Sequence, residues 1–173
     1  MGDARFTLLE RMGRAIGKTR PGVYLLRYVF TPFDKLTYRL TGGRRGLSPR
    51  RMKAALLTTT GRRSGKLVTT PVLVLPDGDG FIVVGSNYGR GRHPSWTYNM
   101  MANRNVALQM GESSKDYVAR RLSEGEARSH WPDLVRMWPA WQTYREITDR
   151  KFRMFRLEPA GSDQRRGRAN LPN

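Results

Sequence analysis

From residue 54 onward, apolar and polar positions fall into short β-patterned runs separated by strong turn chemistry. Ala54–Thr60, Leu67–Leu75 and Phe81–Ser86 are rich in Leu, Val, Ile and Thr and predict three strands. Between them lie Gly61–Gly65 and Pro76-Asp77-Gly78-Asp79-Gly80, which predict hairpin turns. Pro71, inside the second run, lacks a backbone N–H and therefore requires an open edge or a bulge. The unbroken Phe-Ile-Val-Val of the third run predicts burial on both faces. Val106–Met110 and Asp116–Leu122 predict a second hairpin through Gly111-Glu112-Ser113-Ser114, and Phe152–Leu157 predicts a last strand.

Helical periodicity appears elsewhere. Leu8, Leu9, Met12 and Ile16 share a face over residues 1–20, and a second amphipathic run carries Leu25, Leu26, Val29, Phe30, Phe33 and Leu36 before Gly42-Gly43. Residues 43–53 form a basic connector. Pro94 predicts a helix start and Ser95–Ala102 the helix itself. Ser123-Glu124-Gly125-Glu126 has the capping-box pattern of a further helix, which Pro132 and Pro139 are expected to cut into pieces. Hairpins outnumber βαβ units, so the expected class is α+β: a small, mainly antiparallel barrel of about six strands with peripheral helices. The expected organisation is an N-terminal amphipathic helical extension over residues 1–52, a barrel domain over 53–159, and a disordered basic tail over 160–173.

Composition narrows the chemistry. The chain has 173 residues, no cysteine and two histidines, His93 and His130, so disulfides, thiolate nucleophiles and Cys-ligated zinc are excluded and no metal centre is expected. No apolar run of about 18 residues predicts a membrane span, and no signal-like segment begins the chain, so the expected location is cytoplasmic. The formal net charge of +18, from 32 Lys/Arg against 14 Asp/Glu, calls for an acidic partner. Thirteen of these cations and three of the acids lie in residues 1–53. That segment could touch anionic lipid, placing the protein peripherally on the inner face of the plasma membrane; two packed helices with a solvated basic face would give the same pattern.

Candidate chemistry concentrates between residues 61 and 99. In Gly61-Arg62-Arg63-Ser64-Gly65-Lys66, glycines allow close backbone approach, three cations can neutralise phosphate or carboxylate, and Ser64 adds a hydroxyl. The spacing is not that of a P-loop, and an exposed charged hairpin would look alike. Ser86-Asn87-Tyr88-Gly89-Arg90-Gly91 follows a strand and precedes a helix N-terminus, a position that favours anions. Trp96 and Asn99 share a face of the short helix. Trp138, Trp141 and Tyr144 could wall a pocket for a planar molecule, although aromatics at helical spacing usually form core. No Ser-His-Asp arrangement or paired carboxylates appear, so a cofactor must carry any reaction.

Three segments in this order, LLTTTGRRSGKLVTTP, SNYGRGRHPSWTYNMMAN and WP…WPAWQTYREITDRKFRMFRLEP, resemble the deazaflavin-dependent nitroreductases, which are similar to split β-barrel flavin-binding proteins. The resemblance runs from about Lys53 to Pro159. It implies reduced coenzyme F420, a deazaflavin with a phosphate and an oligoglutamate tail. It implies that Arg62, Arg63, Ser64 and Lys66 meet the tail and phosphate, and that Thr70 and Pro71 flank the ring. It further implies Ser86 and Asn87 near the reactive face, and Trp96 and Asn99 on the helix that closes the groove. Tyr88, Trp138, Trp141 and Tyr144 would line the substrate pocket. Where the nitro-reducing members are tyrosine-rich, this chain has Trp138 and Trp141.

The function implied is hydride transfer to a quinone, enone or nitroaromatic acceptor, with Ser86 donating a hydrogen bond and Tyr144 or solvent the proton. The alternatives are a flavin mononucleotide (FMN)-binding reductase on the same barrel, or a basic nucleic-acid- or membrane-binding protein without catalysis; no nucleic-acid motif is present. A monomer is expected.

Overall fold

Six strands and three helices follow one another along residues 54–161, which are the residues the computed structural model describes. They are β1 (Ala54–Thr60), β2 (Leu67–Asp77), β3 (Gly80–Gly85), α1 (Ser95–Ala102), β4 (Asn105–Met110), β5 (Ser113–Arg121), α2 (Glu124–Met137), α3 (Ala140–Glu146) and β6 (Arg153–Pro159). A single 3-10 turn, Asn87–Gly89, stands between β3 and α1. The strands close into an antiparallel barrel in the order β1-β2-β3-β6-β5-β4, with β4 returning to β1. The helices, connector and tail expected in residues 1–53 and 162–173 lie outside the described residues.

Two cores follow from the period of two. One face of the strands sends Leu57, Val74, Val83, Leu108, Phe155 and Leu157 into the barrel, where Trp96 and Met100 of α1 join them and plug one end. The other face of β3 and β6 sends out Ile82, Val84 and Met154, which are covered by Leu134 of α2 and by Ala140, Trp141 and Tyr144 of α3. β3 therefore lies between two apolar layers, as its unbroken apolar run predicts. Each fully buried Leu, Val or Phe contributes roughly 1.5–3 kcal/mol.

Local chemistry sets the boundaries. Gly111 takes φ +61° and lets β4 turn into β5 over two residues. Ser113 and Ser114 therefore pair with Met110 and Gln109 as strand, although their polarity reads as loop. At the start of α2, Ser123 accepts from the Glu126 N–H while the Glu126 carboxylate accepts from the Ser123 N–H, the expected capping box. Its carboxyl titrates at about 2, because Arg120 donates to it, with Ser123 adding to the effect.

Pro132 does not cut the helix: α2 runs through it to Met137. Both Arg128 and Pro132 are exposed, so the carbonyl that loses its donor can be hydrated. Pro139 does divide α2 from α3, as the residue capping α3.

β2 pairs with β1 along Leu67–Leu73 but with β3 only from Val74 onward. Around Pro71 the β3 side of the strand is thus an open edge, and its missing N–H breaks no ladder there. The barrel is parted at this place, between the first half of β2 and the end of β3.

Candidate active site

Antiparallel alternation sorts the loops into two ends. The β1–β2 turn, the segment from β3 to α1, the end of β5 and the approach to β6 gather at one end, here the upper end. The β2–β3 and β4–β5 turns form the lower one. Arg62, Arg63 and Lys66 are exposed on the upper turn. Among the described residues, no ion pair involves them; Arg156, by contrast, bridges Asp77 at 2.7 Å, Asp79 at 3.1 Å and Glu158 at 3.3 Å.

The turn is held, not loose. Gly61 N–H donates to the Lys66 carbonyl and Gly65 N–H to the Gly61 carbonyl, each at 2.8 Å. Ser64 Oγ accepts from Lys66 N–H at 3.3 Å, so its own proton is free to donate. Asn99, 6% exposed, fixes the turn to α1: its Oδ1 accepts from Arg62 N–H at 3.1 Å and its Nδ2 donates to Thr59 Oγ1 at 3.0 Å. Both ends of the amide are thereby used to shape the turn. Trp96, its neighbour on the helix face, is 6% exposed with its ring 6.2 Å from Phe155. It supports α1 from inside the barrel. Tyr98 on the next face lies between two guanidinium groups, Arg62 at 4.8 Å and Arg153 at 4.4 Å from the ring centre.

Across the opening from the half-buried Thr70 and Pro71 runs the loop that begins with Ser86. Its conformation is unusual. Asn87 (φ 48°), Tyr88 (φ 54°) and Gly89 (φ 69°) are successive left-handed residues. Such backbone is disfavoured for Tyr88 by about 1 kcal/mol or more and persists only where surroundings impose it. Gly89 shows what imposes it: an added Cβ would stand 2.6 Å from Ile147 Cγ1 and 2.8 Å from the Tyr144 carbonyl, so the loop presses against the end of α3. Asn87 Nδ2 donates to the Arg92 carbonyl at 2.8 Å, and Tyr88 meets Tyr144 edge-on at 5.9 Å. Ser86 is 9% exposed, and its hydroxyl makes no bond to the turn it begins.

The aromatic residues divide. Tyr88 and Trp138 are half-buried, whereas Trp141 (4% exposed) and Tyr144 (3%) belong to the core between α3 and the sheet. Burial raises the Tyr144 phenol well above the usual tyrosine range, even though Trp138 hydrogen-bonds its oxygen. The indole N–H can only donate, so the Tyr144 O–H keeps its proton free to give. Trp131 stands apart, donating to Gln142 and facing Phe152.

The element that organises this end is Arg150, which sequence reasoning passed over. Its guanidinium donates to the carbonyls of Arg90 (3.0 Å), Gly85 (3.2 Å) and Ser86 (2.6 Å) and meets His93 Nδ1 at 2.7 Å. It thus fixes both ends of the strained loop. His93 is held to about 4, by burial first and then by Arg150, Arg153 and Arg121, so it is neutral at pH 7 and accepts from Arg150 through Nδ1. A signal was available: β6 must start at the upper end by parity, which brings Arg150, Lys151 and Arg153 to the same end as the Arg62 turn.

Comparison with known proteins decides the family. The family model for F420H(2)-dependent quinone reductases matches residues 33–159. The chain belongs to that family. It is 33% identical over 118 residues, 68% of this chain and 72% of the other, to an F420H(2)-dependent quinone reductase of Mycobacterium tuberculosis strain H37Rv. A solved F420-H2 dependent reductase is 34% identical, with a TM-score of 0.57 over 61% of this chain and 94% of the other. Another solved structure, described as a domain-swapped dimer, is 31% identical, with a TM-score of 0.58 over 74% of this chain and all of the other.

Membership makes the chain an F420-dependent oxidoreductase, and the upper end fits such a coenzyme: unpaired turn cations suit an acidic tail, and the parted barrel leaves β2 open beside Ser86. No helix among the described residues is long and apolar enough to cross a membrane.

Proposed function

We propose that this quinone reductase family member reduces a quinone-class acceptor with reduced F420, in the opening between the first half of β2 and the Ser86–Gly89 loop. The observation that carries this reading is the coincidence of that opening with cations that no carboxylate among the described residues neutralises. When bound, the coenzyme supplies a hydride. Arg62, Arg63, Ser64 and Lys66 would hold its acidic tail and phosphate, with Thr70, Pro71, Ser86 and Asn87 around its ring.

The chain's own groups do the rest. Asn99 and Trp96 keep the cationic turn in place on α1. Arg150 fixes the Ser86 carbonyl and so the backbone position of Ser86, whose hydroxyl would donate to an acceptor oxygen as charge develops there. Tyr88 and Trp138 present the aromatic surface against which a planar acceptor lies, with Trp141 and Tyr144 behind them. Tyr144 remains a neutral phenol throughout the physiological range and delivers a proton through the Tyr88 side.

The test is oxidation of reduced F420 by this protein with a quinone, an enone or a nitroaromatic acceptor, beside binding titrations with F420 and FMN. Turnover with the quinone at a kcat/KM at least tenfold above the other acceptors supports the reading. Preference for the nitroaromatic, or tighter binding of FMN than of F420, overturns it.

A further inference from the structure

A second cationic feature lies beside the site, not within it. A cleft of about 260 Å3 is lined by His93, Arg121, Ser123, Arg150, Lys151 and Arg153, among others. It sits in the β5–β6 sector of the upper end, under the start of α2, whereas the β1–β2 turn and the barrel opening are in the β1–β2–β3 sector. Four of its residues are permanent cations. The one carboxylate on its wall, Glu124, is taken by Lys151 at 2.7 Å at the exposed rim. Arg121 and Arg153 have no ion pair among the described residues. Arg153 Nη1 is buried without a hydrogen-bond partner, which is costly for a guanidinium and rare in folded proteins. His93, lowered first by burial, is lowered further by Arg150, Arg153 and Arg121.

We propose that this cleft binds a small, doubly charged oxyanion of the phosphate or sulfate class, separately from the Arg62–Lys66 turn. Arg153 and Arg121 would supply charge-assisted hydrogen bonds, while Lys151 stays with Glu124 at the rim. Arg150, whose donors are committed to three carbonyls and His93, would contribute field more than contact. The chemistry is that of an oxyanion, free or as a phosphate monoester on a larger molecule.

The chain carries its own reporter, because His93 faces the cleft and His130, the other histidine, does not line it. The probe is inorganic sulfate, which stays doubly charged across the titration, against chloride at equal ionic strength. NMR of histidine-labelled full-length protein should show the His93 pKa rising by about one unit with sulfate, as the three arginines are offset while burial is not. His130 should move no more than in chloride. At pH 7, where the fold is not challenged, sulfate should shift the side-chain Nε–H signals of Arg121 and Arg153 saturably. Arg153→Met should abolish both sulfate responses, whereas Arg63→Ala with Lys66→Ala, which spares the Arg62–Tyr98–Arg153 stack, should leave them intact. Inorganic phosphate and a sugar phosphate at pH 7 then distinguish a free anion from a monoester; saturable shifts with either support the site.

Equal movement of His93 and His130, or a full response in Arg153→Met, overturns the proposal, as does a non-saturating response, the mark of an adventitious ion only. Loss of the response in the Arg63/Lys66 variant overturns it too, by merging the cleft with the coenzyme turn. None of these outcomes depends on turnover, so the cleft can fail while the reductase reading stands.

Discussion

Replacing Arg150 with methionine would strip the donor from three carbonyls and from His93 Nδ1 at once. Hydrogen bonds from a charged donor contribute about 1.5–3 kcal/mol each in isolation, but bonds to one guanidinium are not additive. We expect a loss of about 2–4 kcal/mol in urea unfolding, with Lys restoring only part because its ammonium lacks the planar fork. Turnover of the folded fraction should fall more than coenzyme affinity, since the Ser86 loop loosens while the Arg62 turn remains. His93 makes a separate prediction. Its folded value of about 4 lies below the unfolded 6.5, so the unfolded chain binds more protons between these values. Stability should therefore decline as pH falls from about 6.5 to 4, by about 1–2 kcal/mol after solvent screening. His93→Asn, which keeps an acceptor for Arg150, should flatten that part of the urea-midpoint profile against pH.

At the scale of elements, the loop and α3 act as one unit. Gly89→Ala places a methyl into Ile147 and the Tyr144 carbonyl at a left-handed position. A cost of about 2–4 kcal/mol is expected, read as a lowered Tm and loss of the Tyr88–Tyr144 contact. Trp141→Ala should cost about 3–5 kcal/mol through the cavity it leaves. Tyr144→Phe should keep stability within about 1–2 kcal/mol while lowering kcat at unchanged coenzyme affinity; unchanged kcat would assign the proton to water. These expectations also mark what the sequence made legible. β1 and α1 could be bounded to the residue because Thr60-Gly61 and His93-Pro94 punctuate sharply. One missing N–H narrowed Pro71 to an open edge or a bulge, and the pairing of β2 shows the edge. Continuity of α2 through Pro132 did not, because the cost of that proline depends on exposure. Nor could spacing separate Trp141 from Trp138: their burial is set by how α3 leans on β3 and β6, a tertiary property. Strand parity could have brought Arg150 to the upper end, but not to its partners, which are three carbonyls and a ring nitrogen of residues far earlier in the chain.

Among the described residues the cations of the upper turn are unpaired and Arg156 is not, and this makes the proposed coenzyme site separable from the scaffold by mutation. At the upper turn, Arg62, Arg63 and Lys66 have no carboxylate among the described residues. At the lower end, Arg156 has three. Unpaired exposed cations attract an acidic ligand over roughly a Debye length, about 10 Å at 0.1 M salt, so coenzyme affinity should fall as salt rises. Arg63→Ala should weaken F420 binding by about tenfold, about 1.4 kcal/mol, at low salt, and should lessen the dependence of Kd on salt. Arg156→Gln gives the opposite pattern. It leaves Asp77 and Glu158 without their shared donor, so thermal stability should drop, whereas F420 affinity and its salt dependence should not change. Fluorescence titration of the coenzyme at several salt concentrations, beside thermal melts of both variants, reads all three quantities. If Arg156→Gln flattened the salt dependence as much as Arg63→Ala, net charge alone would be steering the coenzyme, and the upper turn would lose its claim to the acidic tail.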